Sequence, residues 1–190
     1  MNTARLEAFS DGVIAIIITI MVLEIKVPHD VTLPALYALT PVFMSYILSF
    51  IYVGIYWNNH HHLMHAVSIV NGKVLWANLH LLFWLSLVPF ATGWMGENHL
   101  SALPIAAYGF ILLMSGVAYG ILTSVALGIK GQNKKLVEAV GSGFKEKASI
   151  CIYLTAILIA FTNHWVSLAL YILVAIAWFT PDRRIEKIID

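Results

Sequence analysis

Residues 5–23, RLEAFSDGVIAIIITIMVL, place a single carboxylate, Asp11, at the start of an almost uninterrupted aliphatic run. A helix needs roughly 20 apolar residues to cross a hydrocarbon core of about 30 Å, and this run has that character. It follows a short polar start and lacks a small-residue cleavage site, so we interpret it as a retained transmembrane helix and not as a signal peptide. This stretch therefore predicts an integral membrane protein.

Composition extends that prediction to the whole chain. Of 190 residues, 60% are hydrophobic and only 11% are charged, and the mean hydropathy is +0.84, which is too apolar for a soluble domain of this size. Similar runs recur with short connectors between them. We predict an all-α integral membrane protein with a single domain over residues 1–190 and six transmembrane helices near residues 9–25, 36–64, 74–95, 102–128, 148–162 and 165–180.

The distribution of basic residues predicts the topology. One cluster precedes the fifth segment and another follows the sixth, and both belong on the cytoplasmic side by the positive-inside rule. The last two segments also fit one long helix through Asn163 and His164, but a single crossing would put the clusters on opposite sides. Six crossings place both termini in the cytoplasm, and we expect a cell-membrane protein with no nucleic-acid partner. The clusters are Lys130, Lys134, Lys135, Lys145 and Lys147, then Arg183, Arg184 and Lys187.

Asp11 needs an explanation, because a carboxylate at the mouth of an apolar helix is costly without a partner or water. One interpretation is a helix N-cap, since Ser10 and Asp11 are residue types that favour helix starts. The other is a polar network that joins the first helix to its neighbours. The second and third predicted helices carry candidate partners, namely Trp57, Asn58, Asn59, His60, His61, His62, His65, Trp76, Asn78 and His80.

Motifs for metal binding and catalysis are weak or absent. His61 and His65 have the four-residue spacing that directs two imidazoles at one ion, but neither a Cys nor a carboxylate lies close in sequence to complete a site. Cys151 is the single cysteine. There is no HExxH, phosphate loop or nucleophile motif, and the TVGYG potassium filter is also absent. We therefore expect no enzyme activity, no metal site and no cofactor.

Gly116 and Gly120 form a GxxxG spacing in the fourth predicted helix. In membranes this spacing often allows two helices to approach closely. General helix packing explains it as well as a specific dimer does.

The string Arg5-Leu6-Glu7-Ala8-Phe9-Ser10-Asp11 resembles the RxxxFSD signature of the transmembrane protein 175 family, known for lysosomal potassium channels and their prokaryotic relatives. The histidine-rich end of the second helix, Asn78, and residues 89–92 (Pro-Phe-Ala-Thr) are similar to further features of that family. The signature occurs once, which resembles the prokaryotic type with four identical subunits. The resemblance implies a signature network of Arg5, Phe9, Ser10, Asp11, His60, His61, Trp76 and Asn78.

The resemblance also implies a pore lined by the first helix. By position, Ile16, Ile20 and Leu23 match the family's apolar constrictions, and Thr19 matches a threonine associated with cation selectivity. From spacing alone, residues 16, 20 and 23 form a helical stripe that is more typical of packed or lipid-facing residues; the resemblance favours the pore.

The predicted function is therefore a leak-like potassium channel, a homotetramer in the bilayer with K⁺ as the permeant ion. Two alternatives stay open. Asp11 and the histidines are groups that proton relays use, which fits a proton-coupled secondary transporter. The histidines also fit a non-conducting, metal-binding membrane assembly.

Overall fold

A computed structural model describes residues 3–129 and 144–179, and the regular structure in these two ranges is helical, which confirms the all-α prediction. The basic residues Lys130, Lys134, Lys135, Arg183, Arg184 and Lys187 lie outside the described residues. The helices are α1 Thr3–Leu23, α2 Leu33–Tyr37, α3 Thr40–Ala66, α4 Gly72–Ser86, α5 Val88–Glu97, α6 Ala102–Leu127, α7 Phe144–Ile159 and α8 His164–Phe179.

Among the described residues, 4 helical segments are long and apolar enough to cross a membrane: Thr3–Leu23, Thr40–Ala66, Gly72–Glu97 and Ala102–Leu127. The third segment combines α4 and α5. Helices α7 and α8 have 16 residues each, which is less than the roughly 20 of an average crossing. The total of six crossings therefore stays a prediction.

Helix α1 begins at Thr3 and not near Phe9, so the signature lies inside the helix. The Ser10 hydroxyl donates to the carbonyl oxygen of Leu6 at 2.9 Å. This bond satisfies the serine one turn back along its own helix, so the serine does not end the helix. Asp11 is therefore an internal helical residue, and its interpretation as an N-cap is wrong.

Two helix boundaries follow from single side chains. Leu87 separates α4 from α5, and Pro89 in the first turn of α5 has no N–H for a helical hydrogen bond, so the predicted helix at 74–95 is broken there. Asn163 accepts from the backbone N–H groups of Trp165 and Val166 at 3.1 and 3.2 Å and caps the start of α8. The cap makes α7 and α8 separate helices and rules out one long helix.

Helix α6 packs against α4, α5, α7 and α8, whereas α1 packs against α3, α4 and α5 at the side of the bundle. The buried residues of α1 recur every three or four positions, as expected for one face of a helix. They are Leu6, Ser10, Ile14, Ile17 and Met21. The fold therefore fixes one face of α1 and leaves its opposite face uncovered by the described chain.

Candidate functional site

A buried chain of hydrogen bonds fixes α1 to α4 and α3. The amide nitrogen of Asn78 donates to Ser10 Oγ at 2.9 Å, and Asn78 Oδ1 lies 2.7 Å from His60 Nε2. The Ser10 hydrogen is used on Leu6, so Ser10 Oγ accepts from Asn78, and the asparagine oxygen must face His60. An amide oxygen only accepts, so His60 Nε2 carries a proton and donates it.

The side chains that these hydrogen bonds link, those of Ser10, Asn78 and His60, have no measurable exposure. His60 Nδ1 is buried without a hydrogen-bond partner among the described residues. An unpaired polar atom in a low-dielectric interior is costly. The three bonds are therefore expected to be strongly maintained, since each additional unpaired group would add to that cost.

A second set of contacts joins the same part of α1 to α3. Trp57 Nε1 donates to Asp11 Oδ1 at 3.0 Å, and His61 Nδ1 lies 2.7 Å from Glu7 Oε1. Glu7 and Asp11 are one helical turn apart, and so are Trp57 and His61, so two carboxylates meet two ring nitrogens in register. The imidazole of His61 is also stacked on the Trp57 ring, with ring centroids 6.2 Å apart.

Glu7 was not among the predicted site residues, and Trp57 was predicted as a candidate partner on the second helix but not as a member of the signature network. The signal that pairs them is the matching four-residue spacing of Glu7 with Asp11 and of Trp57 with His61. Sequence alone does not give the relative rotation of two helices, so it does not show that these spacings face each other.

Three predicted members of the signature network lie apart from these contacts. Phe9 and Trp76 are exposed, with 52% and 76% of their surface accessible. Arg5 is exposed as well. Within the described part of the chain these three residues do not join the bonds that link Ser10, Asn78, His60, Asp11 and His61.

The predicted pore residues share the uncovered face of α1. Ile16, Ile20 and Leu23 are 58%, 42% and 78% exposed, while Ile14, Ile17 and Met21 on the opposite face are buried. The Thr19 hydroxyl donates to the carbonyl of Ile16 at 2.9 Å. Its hydrogen is therefore engaged within α1, and its oxygen keeps lone pairs for water or a cation.

A groove of about 610 Å³ runs beside this stripe, between α1 and α5. Ile16 and Ile20 form one wall, Phe90 and Trp94 form the other, and Glu24 lies at the end near Glu97. Lys26, after the end of α1, donates to Glu97. This hydrogen bond, together with the negative charge of Glu97, raises the pKa of the Lys26 ammonium above its ordinary value.

No group of three His, Cys, Asp or Glu side chains is placed to hold a metal ion within residues 3–129 and 144–179. The rings of His61 and His65 are stacked 6.0 Å apart, and Nδ1 of His61 is engaged by Glu7. Cys151 is exposed and free.

The sequence profile of the family described as "Endosomal/lysosomal potassium channel TMEM175" matches residues 5–89. A potassium channel of Chryseobacterium sp. is 56% identical over 187 residues, covering 98% of this chain and 97% of its own length. A potassium channel of Chamaesiphon minutus is 29% identical over 92% of both chains.

The comparison with solved structures gives the same family. The crystal structure of a lysosomal potassium-selective channel TMEM175 homolog from Chamaesiphon minutus matches with a TM-score of 0.84 and 28% identity. The match covers 95% of this chain and 97% of that one. The human endosomal/lysosomal proton channel TMEM175 is 36% identical over 96 residues, which is 44% of this chain and 19% of that protein.

Proposed function

We propose, from the premise that this chain belongs to the TMEM175 potassium-channel family, that it is one subunit of a leak-like, potassium-selective channel. The family is one of ion channels, and the chain is not an enzyme. The Chryseobacterium relative, which is aligned over nearly its whole length, is named a potassium channel.

The observation that carries the proposal is the division of α1 into two faces. One face is buried against α3, α4 and α5, and the other exposes Ile16, Ile20 and Leu23. One helix cannot enclose a pore, so several copies must supply it. We propose a homotetramer in which four α1 helices surround the ion path. The RxxxFSD signature occurs once in this chain, which is the pattern expected of the type with four identical subunits.

Rings of aliphatic side chains would then form the barrier. A hydrated cation that meets Ile16, Ile20 or Leu23 loses contacts with water and gains no oxygen ligand in return, so a narrow ring resists ions without a charged plug. Thr19 places a hydroxyl oxygen beside this stripe. Because the sequence has no TVGYG segment, we expect moderate discrimination against Na⁺, with Thr19 contributing to it.

The test is a measurement of reversal potential in liposomes that contain only the purified protein, with K⁺ on one side and Na⁺ on the other. We expect an ohmic, non-saturating current that reverses toward the K⁺ equilibrium potential. A reversal potential at zero would reject K⁺ selectivity, and flux that saturates and requires a counter-ion would reject the channel.

A proton-coupled carrier is the second candidate, and one observation favours it. His60 lies at the end of the buried chain through Asn78 to Ser10 and has an unpartnered ring nitrogen among the described residues. A carrier would make K⁺ flux depend on the proton gradient at fixed membrane voltage. In the channel, a proton gradient alone should drive no K⁺ movement when the voltage is clamped.

We also propose that the protein lies in the cell membrane with both termini in the cytoplasm, on the basis of the basic clusters around α7 and α8. Single cysteines introduced at the termini of a Cys151→Ser background test this orientation. A membrane-impermeant maleimide should label them only after the cells are opened. Labelling of intact cells would contradict the six-crossing topology.

A further inference from the structure

The groove between α1 and α5 ends at a carboxylate, that of Glu24. Glu24 directly follows Leu23, the last residue of α1, and lies four residues after Ile20, close to one turn further along the same side of the helix. It lines the groove together with Ile16 and Ile20. The charged end of the groove therefore adjoins the exposed stripe of α1 that is the candidate pore wall.

The Glu24 side chain extends from α1 to the surface of α5. A Cβ built on Gly93 would lie 3.3 Å from Glu24 Oε2 and 3.7 Å from its Cδ, so the carboxylate lies against α5 where Gly93 has no side chain. Glu24 is exposed, and it makes no hydrogen bond or ion pair with a residue in 3–129 or 144–179. The carboxylate is therefore a hydrated charge without a neutralising partner among these residues.

The other carboxylate at this end of the groove is neutralised. Glu97 also lines the groove, and Lys26 donates to it. The pKa of Lys26 is raised first by this hydrogen bond and least by the charge of Glu24, so the ammonium group is paired with Glu97. The three residues together carry two negative charges and one positive charge, and the charge that remains is that of Glu24.

A net negative charge at a pore entrance concentrates cations there, because low-dielectric walls focus the field. In the proposed homotetramer, four copies of Glu24 would lie at the extracellular end of the ion path. We propose that Glu24 sets the rate of K⁺ entry at this end by raising the local cation concentration, and that it does not select K⁺ over Na⁺. A hydrated carboxylate attracts both ions alike, since it removes none of their water. This inference rests on the proposed channel function.

Screening by salt separates this role from a structural one. The Debye length is about 30 Å at 0.01 M salt and about 3 Å at 1 M. At the lower concentration the carboxylates act together on an approaching ion, and at the higher concentration each one is screened. The charge of Glu24 should therefore affect K⁺ entry in dilute salt and lose its effect in concentrated salt. A residue that only holds the fold would affect the current at both concentrations.

The experiment is a planar-bilayer recording of Glu24→Cys in a Cys151→Ser background, before and after thiol modification from the Glu24 side. Two methanethiosulfonate reagents of similar size attach through the same disulfide. The sulfonatoethyl reagent restores a negative charge, and the trimethylammonium-ethyl reagent adds a positive one. Each channel is its own reference, because modification follows assembly. Cys151→Ser alone is the control for the reagents, and Glu24→Gln with Glu24→Asp is a second charge comparison that needs no thiol.

At about 0.01 M K⁺, we expect K⁺ current that enters from the Glu24 side to fall about twofold or more in Glu24→Gln and in unmodified Glu24→Cys. The negative adduct should restore the current and the positive adduct should reduce it further, and Glu24→Asp should carry more current than Glu24→Gln. At about 1 M K⁺ these differences should shrink to less than about 20%. The K⁺/Na⁺ permeability ratio should not change.

Equal currents with the two adducts, or differences that persist at the higher K⁺ concentration, would overturn the role of Glu24. A change in the permeability ratio that follows the charge at this position would also overturn it. The failure of the proposed function is a different result, in which the parent chain itself carries no K⁺-selective current.

Discussion

The two halves of α1 are held by different kinds of contact. In the half before Gly12, Ser10 is bonded to Asn78, Asp11 to Trp57, and Glu7 to His61. In the half after Gly12, buried Ile14, Ile17 and Met21 supply apolar packing, and the 4.0 Å contact of Thr92 Oγ1 with the Met21 sulfur is long and weak. The first half is attached by directional bonds, and the second by contacts with little directionality.

This difference indicates where α1 can move. Apolar burial depends on the area removed from water and hardly on orientation, whereas a hydrogen bond weakens steeply with distance and angle. A tilt or rotation of the second half therefore costs less than the same motion of the first. Ile16, Ile20 and Leu23 all lie in the second half, so we expect a change in pore width to occur there about a fixed first half.

The largest expected effect is that of Asn78→Leu, which removes the hydrogen bonds that connect the half of α1 before Gly12 to α4 and α3. It leaves Ser10 and His60 without their shared partner, at about 1–3 kcal/mol for each buried group. We expect a large loss of folded, assembled protein, measured as the monodisperse fraction in size-exclusion chromatography and as the midpoint of thermal unfolding.

Asn98→Leu is the control for this substitution. Asn98 follows the end of α5 and is exposed, and its side-chain amide donates to the Trp94 carbonyl of that helix, so its replacement should leave assembly unchanged. If Asn78→Leu assembles normally and only loses conduction, Asn78 acts on the ion and not as an anchor.

A smaller effect is expected from the contact of Asp11 with Trp57, because Asp11 is half-buried and water reaches it. Asp11→Ala and Trp57→Phe should each reduce stability by about 1 kcal/mol. A double-mutant cycle on the unfolding free energy should show that the two losses are not additive, as is usual for residues in contact. Additive losses would mean that the 3.0 Å bond does not contribute to holding α1.

The sequence predicted which residues form helices better than it predicted how helices face each other. Apolar periodicity located the long helices because it reflects only local geometry. The register that brings Trp57 to Asp11 depends on the rotation of α3 relative to α1, which no local pattern encodes. The start of α1 was misplaced for a different reason: Ser10 and Asp11 are residue types that favour helix caps, but Ser10 is satisfied by the Leu6 carbonyl inside the helix.

The candidate site shows the same limit. Ser10, Asn78 and His60 were among the predicted network residues, and the structure brings them together. The exposed positions of Arg5, Phe9 and Trp76 depend on which faces the rest of the bundle covers. That property belongs to the assembled fold and cannot be obtained from the residue types.

Leu23→Ser tests the half of α1 after Gly12, and this substitution should raise the basal K⁺ current. A serine hydroxyl lets water wet the ring, and a barrier lowered by about 1 kcal/mol corresponds to roughly fivefold more flux. Val22→Ser is the control, because Val22 is the adjacent residue and lies about 100° around the helix. Planar-bilayer recordings at matched protein density measure both. Equal currents from the two variants would show that α1 does not present Leu23 to the ion path.

The smallest expected effect is on selectivity, through Thr19→Val. Valine keeps the shape of threonine, so packing and the width of the pore should stay the same, and basal K⁺ current should remain within about twofold of the parent. What is lost is the α1 hydroxyl beside the aliphatic stripe, whose hydrogen is used on the Ile16 carbonyl. That oxygen can replace a water ligand of a partly dehydrated K⁺, and Na⁺, which holds its water more tightly, gains less from it. We therefore expect the K⁺/Na⁺ permeability ratio, taken from reversal potentials, to fall by about two- to threefold, equivalent to less than about 1 kcal/mol. Thr155→Val is the matched control, since Thr155 is an exposed threonine on α7 with the same type of bond to its own helix, 2.8 Å to the Cys151 carbonyl. An unchanged ratio in Thr19→Val would mean that this hydroxyl does not face the ion, and complete loss of current would mean that Thr19 holds the fold of α1.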